Sequence, residues 1–84
     1  MKFAADRPFA DPEAAARKLL DIVRGSIAKS GLTHAYVGAT NGDFLKDGGS
    51  VAEYKVGRDY AFTQRWFEFD RSQTRIILLP DGAE

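Results

Sequence analysis

Near the middle of the chain, Gly48-Gly49-Ser50-Val51-Ala52-Glu53 sets a chain reversal directly against a helix start. Ser50 and Glu53 have the spacing of a capping box, in which the serine hydroxyl accepts from the Glu53 amide and the glutamate carboxylate accepts from the Ser50 amide. Two glycines before the cap supply the backbone freedom that a tight turn between helices requires, and Gly49 is expected to hold a positive φ there. A helix over 50–64 follows, with Val51, Tyr54, Gly57, Arg58 and Ala61 at intervals of three or four on its core-facing side. A strand reading competes, because Tyr54, Val56, Tyr60 and Phe62 also alternate. The cap favours the helix.

Upstream, Asp11-Pro12-Glu13 reads as another helix start, with Asp11 as N-cap and Pro12 where its missing amide does no harm. Ala15, Leu19, Val23 and Ile27 recur every four residues, flanked by Leu20 and Ile22, so a helix is expected over 12–29. Lys29 suits its C-terminal dipole and Gly31 its left-handed closure. Residues 33–46 admit two readings. Asn41-Gly42 is a hairpin signal, whereas the Thr40 to Asp43 spacing, followed by Phe44, Leu45 and Gly48, fits a short helix. Downstream, Trp66 to Asp70 and Thr74 to Leu79 are rich in aromatic and branched residues and are separated by Arg71-Ser72-Gln73, which predicts an antiparallel hairpin closed off by Pro80.

This order describes an α+β domain over 11–80, preceded by an arm over 1–10 and followed by a tail over 81–84. With 84 residues and no cysteine, it must be held by packing alone, without disulfides or thiolate metal sites. The longest aliphatic run, Ile76 to Leu79, is far short of a bilayer span of about 20 residues. Asp6 and Arg7 interrupt any secretory signal, so a cytoplasmic location is expected. Twelve basic and twelve acidic residues leave a net charge of zero, without the overall basic field typical of nucleic-acid binders. Catalytic constellations are missing too. His34 is the only histidine, and the Asp43/Asp47 and Glu68/Asp70 pairs would need a pocket that separates their pKa values, which a domain this small rarely encloses. No enzymatic activity, cofactor, metal or small-molecule substrate is expected.

From Thr33 to Leu79 the chain resembles the winged helix-turn-helix domains of bacterial DNA-binding proteins, including short stand-alone ones. Asn41-Gly42 with Phe44-Leu45, Gly48-Gly49-Ser50, Ala52-Glu53-Tyr54, Gly57, Ala61, Trp66, and Ser72 with Thr74 carry the likeness. Related sequences often place glycine just before the Trp66 position and within the wing turn, where this chain has Arg65 and Gln73. The resemblance implies three helices and a C-terminal β-hairpin wing, with 33–37 a short strand joining the wing sheet and 40–47 the second helix. It makes the third helix the recognition helix, in a small transcriptional regulator or accessory factor.

On that reading Lys46, Gly49, Ser50, Lys55, Arg71, Gln73 and Arg75 are the candidate DNA contacts. Gly49 and Ser50 would offer amides at a helix N-terminus, and the basic residues would meet phosphates from the turn, the third helix and the wing. The plainer readings are a turn with its cap, and a mixed surface, since residues 46–75 carry six basic and five acidic side chains. Ala52, Val56 and Tyr60 form a second stripe on the third helix. It either touches the wing or is an exposed patch for a protein partner or a second copy of the chain, which makes a protein-interaction or dimerisation module without DNA binding the alternative function.

Overall fold

The computed structural model describes residues 8–83. It is an α+β fold with four helices and one three-stranded antiparallel sheet among those residues: α1 (Pro12–Ser30), β1 (His34–Tyr36), α2 (Val37–Lys46), α3 (Val51–Thr63), β2 (Phe67–Phe69), β3 (Arg75–Leu78) and α4 (Pro80–Ala83). Most of the arm expected over 1–10, and Glu84 of the expected tail, lie outside the described residues. Phe9 belongs with the domain rather than the arm, because its ring packs 5.1 Å from that of Phe44.

Local signals account for α1. The Asp11 carboxylate accepts from the Ala14 amide at 3.0 Å, and Gly31 closes the helix at φ 75°, its amide donating to the Ile27 carbonyl. Its buried side is Ala15, Ala16, Leu19, Leu20 and Val23. The capping box of α3 forms in full, with Glu53 N to Ser50 Oγ at 3.1 Å and Ser50 N to Glu53 Oε1 at 3.0 Å. Tyr54, Gly57 and Ala61 face the core. Val51, expected beside them, is 57% exposed, because the first turn of α3 projects past the core.

At Gly57 the two long helices touch. A Cβ there would lie 2.8 Å from the Ala15 Cβ and 2.9 Å from the Ala15 carbonyl carbon. The helix-propensity cost of glycine, about 1 kcal/mol, is therefore offset by close approach of α3 to α1.

Helix α2 begins three residues before the expected 40–47. Thr40 is not a cap: it is 1% exposed inside the helix, and the N-cap Tyr36 contributes no side-chain hydrogen bond. The chain passes directly from β1 into α2, and the first helical amide, Val37, is satisfied from outside by the Thr74 carbonyl at 2.9 Å. Asn41-Gly42 lies within α2 and makes no hairpin.

The sheet order is β1-β3-β2. His34 pairs with Ile77 and Tyr36 with Arg75 on one side of β3, while Phe67 pairs with Leu78 and Phe69 with Ile76 on the other. Ala35, Phe67 and Ile76 are buried, and Phe62 from α3 stands edge-on to Phe67 and Phe69. Full burial of a side chain the size of Phe67 or Ile76 contributes about 1.5–3 kcal/mol relative to exposure. The tail is partly structured: Pro80 starts a helical turn, and the buried Gly82 lies against the Trp66 backbone, where a Cβ would collide with the Trp66 carbonyl. No helix among the described residues is long and apolar enough to cross a membrane.

Candidate functional site

The candidate residues fall into two groups at opposite ends of α2. Lys46, Gly49 and Ser50 belong to the α2–α3 connection, with Lys55 one turn into α3. Arg71, Gln73 and Arg75 belong to the β2–β3 turn, which meets the start of α2 through the bond from Val37 to Thr74.

In the α2–α3 connection the backbone turns at Gly48, where φ is 107°, and not at Gly49 as expected. Gly49 is glycine for a different reason. Its amide donates to the Phe44 carbonyl at 3.0 Å, and a Cβ on it would run into the fully buried Phe44 ring. Both the hydroxyl and the amide of Ser50 are engaged with Glu53, so the carboxylate of the cap already occupies the dipole end of α3. Lys46 and Lys55 are exposed and have no ion-pair or hydrogen-bond partner among the described residues.

Asp70 organises the β2–β3 turn. Its carboxylate accepts from the Ser72 hydroxyl at 2.8 Å, the Thr74 and Arg75 amides at 3.3 and 3.2 Å, and the Arg75 guanidinium at 3.3 Å. Ser72 gives its one proton to Asp70, so the 2.7 Å contact between the Ser72 and Thr74 hydroxyls is donated by Thr74. Partial desolvation pushes the Asp70 carboxyl up, but the bonds from Ser72, Arg75 and Thr74 outweigh it and hold the group below the ordinary carboxylate range. Hydrogen bonds to Asp70 and Tyr36 in turn raise the Arg75 guanidinium. Arg75 is thus tied into the turn, whereas Arg71 is exposed and unpartnered among the described residues. Gln73 is exposed at φ 63°, and Arg65 stands at φ 62°.

The second stripe of α3 divides. Tyr60 is half-buried with its ring 5.7 Å from that of Trp66, over which Arg17 also lies at 5.3 Å. Ala52 and Val56 remain exposed, Val56 at 46%. Arg58 sits at the edge of the buried face, 6.0 Å above the Tyr54 ring.

The residues missed from the sequence are Asp70 and Tyr36, which fix Arg75. The alternating Asp70, Ser72 and Thr74 were the available signal, since short polar side chains at such spacing hydrogen-bond local backbone in turns. Pairing of Tyr36 with Arg75 depends on strand register and has no local signature. An open groove of about 500 Å³ between α1 and α2 is lined by both signs of charge, including Asp21, Lys29, Asp43 and Lys46. No cluster suited to a metal ion occurs among the described residues. A scan against protein-family models and searches of curated proteins and of solved structures find no match to this chain.

Proposed function

We propose that this is a winged-helix protein that binds duplex DNA, with α3 in the major groove and the β2–β3 turn as the wing, acting as a small transcriptional regulator or accessory factor. The element order and the joining of β1 to the hairpin through β3 agree with that architecture.

The observation that carries the reading is how the charges pair. Of the five acids of residues 46–75, Asp47 is taken by Lys18 at 3.0 Å, Asp59 by Arg58 at 3.2 Å and Asp70 by Arg75 at 3.3 Å, and Glu53 by the cap, which leaves Glu68, exposed on β2, as the one without such a partner among the described residues. Lys46, Lys55, Arg65 and Arg71 keep no such partner among the described residues. Exposed ion pairs add little stability, but they cancel charge locally. A chain of zero net charge thereby presents uncompensated cations on the α2–α3 connection, α3 and the turn. The ten residues of α2 separate the two groups by about 15 Å of helix, comparable with half of the ~34 Å turn of B-DNA.

Contacts from Lys46, Lys55 and Arg71 to three phosphates give a slope of about −3 in log K against log salt. Fluorescence anisotropy with labelled genomic fragments measures it, and Arg71→Glu should weaken binding to all fragments alike. Absence of binding at about 50 mM salt would reject the proposal.

The exposure of Val51, Ala52 and Val56 favours a second reading, a protein-interaction or self-association module. A concentration-dependent dimer in sedimentation, abolished by Val56→Asp and accompanied by no DNA affinity, would establish it in place of the first.

A further inference from the structure

We infer that the exposed face of α3 recognises the C5-methyl groups of clustered thymines in the major groove, an inference that rests on the DNA-binding reading above. In a helix-turn-helix the N-terminal residues of the recognition helix meet the base edges. In the first two turns of α3, Glu53 folds back onto the cap and Tyr54 and Gly57 are buried. Val51, Ala52, Lys55 and Val56 are the exposed side chains there.

Their chemistry is narrow. None is arginine, asparagine or glutamine, so nothing here singles out adenine, and Lys55 alone has the chemistry to pair with a guanine edge. Lys55 is already committed to a phosphate, which leaves the base edges to the apolar side chains. The apolar feature that a base pair shows in the major groove is the thymine methyl, and valine and alanine side chains match it. Val51 and Val56, at 57% and 46% exposure, gain little from folding, since Tyr54, Gly57 and Ala61 already fill the core side of the helix. Charge complementarity points to the same occupant: Lys55, exposed and without an ion-pair partner among the described residues, lies in the chain between Val51 and Val56 and would meet a phosphate at the groove edge. The expected ligand is a duplex with adjacent thymines.

The test is selection of duplexes from a random pool, followed by resynthesis of the enriched duplexes with deoxyuridine in place of thymidine, which removes the methyl and keeps the pairing. The expected result is enrichment of thymine clusters and a loss of about fourfold in affinity per contacted methyl on deoxyuridine replacement. That difference should vanish in a Val51→Ser, Val56→Ser double variant, whose helical circular dichroism should match the parent because both sites are exposed. Equal affinity for the thymidine and deoxyuridine duplexes would overturn this inference and leave DNA binding standing. Failure of the folded protein to enrich any duplex would overturn both.

Discussion

The α2–α3 connection and the β2–β3 turn both carry the chain through left-handed backbone, and they do so with different residues. Gly48 stands at φ 107° and Gln73 at φ 63°. The second value lies in the small left-handed basin open to any L-residue at a cost of about 1–2 kcal/mol, whereas the first lies beyond that basin. The surroundings differ as well. The helix connection is pressed against a buried ring, so Gly49 cannot carry a side chain, while the hairpin turn is exposed and is held from above by the Asp70 carboxylate. Glycine is demanded where φ or space leaves no alternative. Elsewhere a hydrogen-bond network is sufficient to hold a less favourable residue.

The contrast is broken most severely at Gly49. Valine there must displace Phe44, which is 0% exposed, and should destabilise the domain by about 3 kcal/mol, a fall in Tm of roughly 12–24 °C. Gly48→Ala meets no atom within 4 Å and should cost about 2 kcal/mol through backbone conformation alone, at or above the top of the left-handed penalty. Thermal melts of the two variants separate space from conformation, and equal losses would contradict the distinction. Gln73→Gly should act in the opposite direction, raising stability by about 0.5–1 kcal/mol as relief of left-handed strain outweighs the added freedom of the unfolded chain. A lowered Tm would mean that the Gln73 side chain contributes to the turn.

The smallest effect is expected from pH. Because the folded-state pKa of Asp70 is depressed, its contribution is fully present above the unfolded value near 3.9 and is lost as pH falls through the lower folded value. Carboxyl chemical shifts during an acid titration should place Asp70 below the exposed carboxylates. An Asp70 midpoint equal to theirs would show that the turn network does not select the ionised form.

Where a residue and its partner are three or four positions apart, the fold was legible. Asp11 with Ala14, Ser50 with Glu53, and Gly31 with Ile27 set the bounds of α1 and the start of α3. Legibility ended where the partner came from another element. The start of α2 depends on a carbonyl at Thr74, so the weak local match at Thr40 misplaced it. Pro80 stops the strand as expected but also opens a helical turn, which the expected tail did not include, and Gly82 of that turn lies against the Trp66 backbone. The candidate site divides in the same way. Exposure of Lys46, Lys55 and Arg71 follows from local pattern, but the neutralisation of Arg75 and the docking of Tyr60 on Trp66 are tertiary facts.

The last strand among the described residues is the middle one of the sheet. During synthesis α1, α2 and α3 all precede it, so the contact of Gly57 with Ala15 can form first. The two outer strands cannot pair with each other in this order and must wait for residues 75–78. Bringing His34 to Ile77 closes a loop of about 40 residues, at an entropic cost that grows only slowly with length. Until β3 is in place Phe67 and Phe69 lack their strand neighbour, and a nascent or heat-loosened chain exposes two aromatic strand residues and open strand edges together. Aggregation should therefore begin from the separated β2 and β3 rather than from the helices.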